Sequence, residues 1–141
     1  TKEIADAIMS DSNIRMIFDI MKESELAVFV IGEVSATTKL IERGIYSEEQ
    51  YNAMDHDGVV GDICSRYYDI YGNPALPDLM ERTIAIKVED LKKKKHRIGV
   101  GVGENKTKAI IGALNSGLMT ALYTDEITAR DVLRQYETLN L

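Results

Sequence analysis

The chain has 141 residues, 45% apolar and 28% charged, which is enough for one hydrophobic core and excludes an intrinsically disordered chain. Its 17 basic and 23 acidic side chains leave a formal charge of −6, disfavouring non-specific attraction to nucleic acid or an anionic membrane surface. One cysteine (Cys64) makes no internal disulfide, two histidines build no His-rich metal site, and no apolar run approaches the roughly 20 residues of a bilayer span; a soluble, cytoplasmic domain without metal or cofactor is expected.

Ile4 and Ile8, then Ile14, Ile17, Ile20 and Met21, recur at three- and four-residue spacings, predicting helix with a break at Ser10-Asp11-Ser12. A chain that opens within such an element, on Thr1, is expected to be a fragment of a longer protein. The continuous apolar run LAVFVIG (26–32) predicts a strand buried on both faces. SATTKLIERG (35–44) reads as a loop and short helix stopped by Gly44. Ser47 and Gln50 have the spacing of a capping box, opening a helix through Met54. Residues 58–73 bracket a strand between glycines, with a turn at Gly72-Asn73-Pro74. RTIAIKV (82–88) reads as a further strand, EDLKKKK (89–95) as a short polar helix, and RIGVGVG (97–103) as a small-residue strand. A helix ended by Gly117, a strand at 118–124 and an amphipathic helix from Asp125 close the chain. The alternation predicts one α/β domain over residues 1–141, built on a Rossmann-like, mainly parallel sheet flanked by helices.

The strongest local site is GVGVGENKTKAII (99–111), where a strand gives way to a helix. Backbone amides at a helix start are unpaired and the helix dipole favours an anion there. Gly101 and Gly103 allow close approach to the backbone, and Lys106 adds an ammonium in the first turn, so a phosphate is the natural guest. The structural alternative is that the glycines permit tight packing and Asn105 caps the helix. Asp62, after Gly61 at a strand edge, can accept from two adjacent sugar hydroxyls, or instead close an Asx turn on its own backbone. Asp125 reads as the cap of the last helix. The run Lys92–Arg97 reads as a solvated basic face. Cys64 reads as a small buried hydrophobe, and Tyr67 and Tyr68 must point to opposite faces of their strand.

In this order, VFVIG, GDICSRYYDIYG, RTIAIKVEDL, GVGENKTKAIIGAL and LYTDEITARDVL resemble the C-terminal effector domain of SorC-type bacterial transcriptional regulators, related to the central glycolytic gene regulator and the deoxyribonucleoside regulator. The resemblance covers nearly the whole chain. It implies a fold similar to glucosamine-6-phosphate deaminase and ribose-5-phosphate isomerase, and a phosphorylated-sugar effector at the C-terminal strand ends. It also implies a homo-oligomer, dimer or tetramer, that controls DNA through a helix-turn-helix domain outside this chain. Carried over by position, Asp62 in Gly61-Asp62 would bind sugar hydroxyls, Lys106 would bind phosphate or hydroxyls, and Gly32 and Gly103 would shape the pocket. Arg43 lies where the family sometimes offers a basic side chain. The family's earlier Gly-Thr phosphate loop is not in this chain, so the chain is expected to be the C-terminal part of the effector domain. Val102 is bulkier than the family's residue in this loop.

A non-enzymatic sensor is therefore the expected function. An aldose–ketose isomerase or sugar-phosphate deaminase on the same fold is the alternative, but enolisation needs a positioned base and a proton shuttle. Asp62, Glu33 and Glu104 are the only carboxylates suited to that work, and nothing in the sequence pairs them. A pure oligomerisation module is the third reading.

Overall fold

A computed structural model of the chain describes residues 1–34, 39–42, 44 and 47–139. Thr1 caps α1 (Lys2–Ser10) by accepting from the Ile4 amide, and Asp11 caps α2 (Ser12–Glu23) by accepting from the amides of Asn13 and Ile14. Asp11 adopts φ −61° and ψ 134°, so the expected break is an extended residue whose carboxylate restarts the helix. There follow β1 (Leu26–Glu33), α3 (Lys39–Glu42), α4 (Glu48–His56), β2 (Val59–Ile63), β3 (Arg66–Asp69), α5 (Pro77–Glu81) and α6 (Val88–Lys92). β4 (His96–Val100), a 3-10 turn (Glu104–Lys106), α7 (Thr107–Asn115), β5 (Ala121–Tyr123) and α8 (Glu126–Leu139) complete the described chain.

The five strands form one sheet in the order β3-β2-β1-β4-β5. β1, β4 and β5 are parallel, while β2 runs antiparallel to both β1 and β3. Four strands therefore share a direction and β2 alone opposes them, which makes this the expected mainly parallel α/β sheet. β1 is shared along its length: Leu26–Val30 pair with His96–Val100, and Ile31, Gly32 and Glu33 pair with Ile63, Asp62 and Gly61.

The core lies where α7 crosses the sheet. Phe29 and Ile31 of β1, Ile63, Tyr68, Ile110, Ile111, Leu118 and Val132 form one buried cluster. The helix can sit this close because Gly61 has no side chain. A Cβ there would stand 2.6 Å from the Gly32 carbonyl oxygen and 2.7 Å from Ala109 Cβ. Tyr68 donates from its hydroxyl to the Ala109 carbonyl at 3.1 Å, tying β3 to the same helix. Tyr67 goes instead to a second cluster with Tyr51, Met54 and Val59, as the alternation requires.

Five expectations change. Residues 58–73 contain two strands rather than one, because Cys64 and Ser65 both adopt positive φ, +52° and +59°, and turn the chain back as a hairpin. Cys64 accordingly sits half-buried at that turn rather than inside the core. Residues 82–88 form no strand. Buried Arg66 donates to the carbonyls of Met80, Ala85 and Ile86 at 3.0, 2.7 and 2.9 Å, taking the acceptors that a neighbouring strand would need. The basic run is also not a solvated face throughout. Lys94 is only 5% exposed and donates to the carbonyls of Met21 and Ser24, at the negative pole of α2. Finally, the described residues cover β1 on one face only: Val28 and Val30 are 62% and 66% exposed while Phe29 and Ile31 are 7% and 0%.

Candidate functional site

Parallel strands that end together leave their C-terminal residues and following loops at one rim of the sheet. Here that rim brings together Gly32 and Glu33 from β1, the loop through Gly101–Lys106 after β4, and Thr124 and Asp125 after β5. Lys106 does not point into bulk water. It is half-buried and its Nζ donates to the Ile31 carbonyl at 2.6 Å, so the ammonium lies across the end of β1.

Gly103, at φ +116°, takes a conformation that L side chains rarely adopt. Its amide is already occupied, donating to Thr128 Oγ1 at 2.9 Å. Thr128 in turn donates from Oγ1 to Asp125 Oδ2 at 2.9 Å, and its amide donates to Asp125 Oδ1 at 2.8 Å. Asp125 is thus the cap expected for α8, and these bonds hold its carboxyl below the usual carboxylate range. The anion cradle expected at the glycine loop is correspondingly narrower: α8 fills its first amide. No side chain caps the 3-10 turn that follows. Asn105 does not cap α7 either, since its Nδ2 donates to Glu33 Oε1.

Asp62 pairs with Gly32 across the β1–β2 ladder. A Cβ on Gly32 would stand 1.9 Å from Asp62 Oδ1, so the missing side chain is the space in which the carboxylate lies. Asp62 Oδ2 accepts from the Ser65 amide at 2.9 Å, which is the Asx-type turn expected as the structural reading, closed over the hairpin. Burial is the largest influence on this carboxyl and raises its pKa; the Ser65 amide and the Lys106 ammonium lower it. The Lys106 ammonium, at the end of β1, thus partly offsets the effect of burial on the Asp62 carboxyl of the neighbouring β2. Gly61 acts in packing, as described above. Arg43 lies outside the described residues.

Sequence reasoning missed Thr128, which lies 25 residues from its partner Gly103, a separation over which local pattern carries no signal. It considered Glu33 only as a base for enolisation and not as the partner of Asn105. Two clefts, of about 420 Å³ beside α1 and α5 and about 610 Å³ between α4 and α5, contain none of the expected site residues that are described. Among the described residues no group of three His, Cys, Asp or Glu side chains could hold a metal ion, and no helix is long and apolar enough to cross a membrane.

Comparison with known proteins gives a consistent picture. The sequence pattern of the family described as "Putative sugar-binding domain" matches residues 1–134. The deoxyribonucleoside regulator of Bacillus subtilis is 33% identical over 128 residues, 91% of this chain and 41% of the relative. The sorbitol operon regulator of Klebsiella pneumoniae is 29% identical over 131 residues, 93% of this chain and 42% of the relative. The chain thus spans about two fifths of the length of these relatives. Among solved structures, a transcriptional regulator from Streptococcus pneumoniae superposes with a TM-score of 0.86 at 31% identity, covering 96% of this chain and 52% of that one. The full-length sorbitol operon regulator SorC of K. pneumoniae gives 0.85 at 28% identity, covering 94% and 43%. These relatives are named as transcriptional regulators and not as enzymes.

Proposed function

Because the chain belongs to the SorC-type sugar-binding domain family of bacterial transcriptional regulators, we propose that it is the effector-sensing part of such a regulator and that its effector is a phosphorylated sugar. The observation that carries this reading is the placement of Lys106 over the Ile31 carbonyl, in the same electrostatic environment as Asp62. The ammonium spends one of its three N–H donors on a neutral backbone carbonyl and has others for a phosphate oxygen, whose own charge makes that bond the stronger. The uncapped 3-10 turn beside it supplies amides that favour an anion. Asp62 Oδ1, lying on Gly32, accepts from sugar hydroxyls while Oδ2 stays fixed by Ser65. Gly32 and Gly103 shape the pocket, Gly61 lets the sheet carry it, and Arg43 is a further basic residue for the ester.

Regulation follows if the sugar binds one arrangement of a dimer or tetramer more tightly than another. The population then shifts and the operator affinity of a linked helix-turn-helix domain changes with it. This places the protein in the cytoplasm with the DNA it controls. The test is isothermal titration of the full-length protein with hexose and pentose monophosphates, their unphosphorylated sugars and inorganic phosphate. At least one sugar monophosphate should bind, its unphosphorylated sugar should bind far more weakly, and Lys106→Ala should weaken the ester about tenfold to a hundredfold. Equal binding of ester and free sugar, or unchanged affinity in Lys106→Ala, overturns the proposal; steady turnover of the sugar phosphate would replace it with the isomerase reading.

A further inference from the structure

Two buried side-chain oxygens among the described residues have no hydrogen-bond partner, Glu33 Oε2 and Thr124 Oγ1. Both stand at the rim described above, at the end of β1 and just past the end of β5. Withdrawing a polar group from water without a partner is costly, and most costly when the group ionises. Such groups call for an explanation at the place where they occur, and here that place is the candidate ligand site.

From this we infer that Glu33 determines which sugar the site accepts: its Oε2 receives a hydrogen bond from a hydroxyl on the unphosphorylated part of the ligand. The inference rests on the sugar-phosphate reading above. Asn105 Nδ2 donates to the other oxygen, Oε1, so the carboxylate is held in one orientation before any ligand arrives and less freedom is lost on binding. Glu33 follows Gly32, where the Asp62 carboxylate lies, and is two residues beyond the carbonyl that holds Lys106. Strand alternation sends its side chain to the opposite face of β1 from Gly32, so the two carboxylates flank the strand end instead of sharing one hydroxyl. A carboxylate repels a phosphate, which leaves the ester to Lys106 and the turn and a sugar hydroxyl to Glu33. Sites built to accept a particular hydroxyl reject the analogue that lacks it, because the buried acceptor is left unpaired.

The experiment is a cycle between the residue and the ligand. The full-length protein and Glu33→Gln are titrated with the sugar monophosphate that binds best among glucose 6-phosphate, fructose 6-phosphate and ribose 5-phosphate, and with its single-deoxy analogues. Glu33→Gln retains an acceptor for Asn105 and replaces the second oxygen, so a residue that merely positions Asn105 leaves the deoxy series unchanged. In the wild type, removing one particular hydroxyl should weaken binding about tenfold or more; in Glu33→Gln the parent sugar should bind about tenfold less tightly and that deletion should cost nothing further. If Glu33→Gln melts before it can be titrated, Glu33→Asp, which keeps the charge but withdraws the oxygens, should lose the same discrimination. A deoxy series with the same losses in wild type and variant overturns the inference while leaving the Lys106 result, and with it the sugar-phosphate reading, intact. No binding of any of these esters by the wild type overturns both.

Discussion

Burial raises the pKa of Asp62 while the Ser65 amide and the Lys106 ammonium pull it back, so the folded protein holds this proton more tightly than the unfolded chain does. For an acid shifted in that direction the ionised form is penalised at neutral pH. The penalty is relieved as pH falls through the raised folded pKa, and is gone below the unfolded value. Asp62→Asn, which keeps an acceptor for Ser65, is therefore expected to melt higher than wild type at pH 7 and to lose that advantage as the pH falls below the ordinary carboxylate range. The same variant should bind the sugar ester about tenfold or more weakly, through loss of a charged acceptor. Thermal melts across pH 3 to 8 check the first part and titration the second; a variant less stable than wild type at pH 7 would contradict the argument. At this scale Asp62 and Lys106 stood out in the sequence because a carboxylate after glycine, and a lysine after a glycine loop, sit at strand and helix ends. Glu33 did not, since a glutamate closing a strand is ordinary until its second oxygen is found buried without a partner. Thr128 was hidden because its contact with Gly103 is purely tertiary.

Among the elements, those with a strong local signal were the ones the sequence could place: the Asp11 restart, β1, the Gly117 stop after α7, and the Asp125 cap of α8. The errors have two physical causes, a turn built without its usual residues and a long-range contact that overrides local preference. The hairpin between β2 and β3 turns through Cys64 and Ser65 in left-handed conformations without the glycine or asparagine that marks such turns. Residues 82–88 have strand-like alternation, yet two of their carbonyls, at Ala85 and Ile86, are taken by one guanidinium from β3. This makes Arg66 the peg between the hairpin and the segment leading to α6. Arg66→Met fills comparable volume but abandons three carbonyls, at Met80, Ala85 and Ile86. A destabilisation of about 3 kcal/mol or more is expected, measured by denaturant unfolding; a cost within about 0.5 kcal/mol, the usual range for surface substitutions, would show that the peg is dispensable.

For the whole molecule the decisive feature is the asymmetry of the sheet. α7 packs on one face, while Leu26, Val28 and Val30 stand 49%, 62% and 66% exposed on the other. Register places Val28 beside Ile98 and Ala121, and Val30 beside Val100 and Tyr123, so these side chains form two rows with half-buried Ile98 and Val100 at their middle. Tyr123 itself is 72% exposed. Parallel sheets are ordinarily covered on both faces, and a contiguous apolar surface of this kind drives association in water. The unbroken apolar run marked β1 as a strand but not its sidedness: burial on both faces was expected, and the described residues cover only one. Expressed alone, the 141-residue chain should therefore self-associate at micromolar concentration, seen as a mass above the monomer by light scattering after gel filtration. Val28→Lys together with Val30→Lys should return it to a monomer without loss of helical signal, because both side chains already face outward and neither belongs to the buried cluster. A wild-type chain that stays monomeric across that range would mean that these rows contribute too little apolar surface to drive association, and the asymmetry would then have no consequence for assembly.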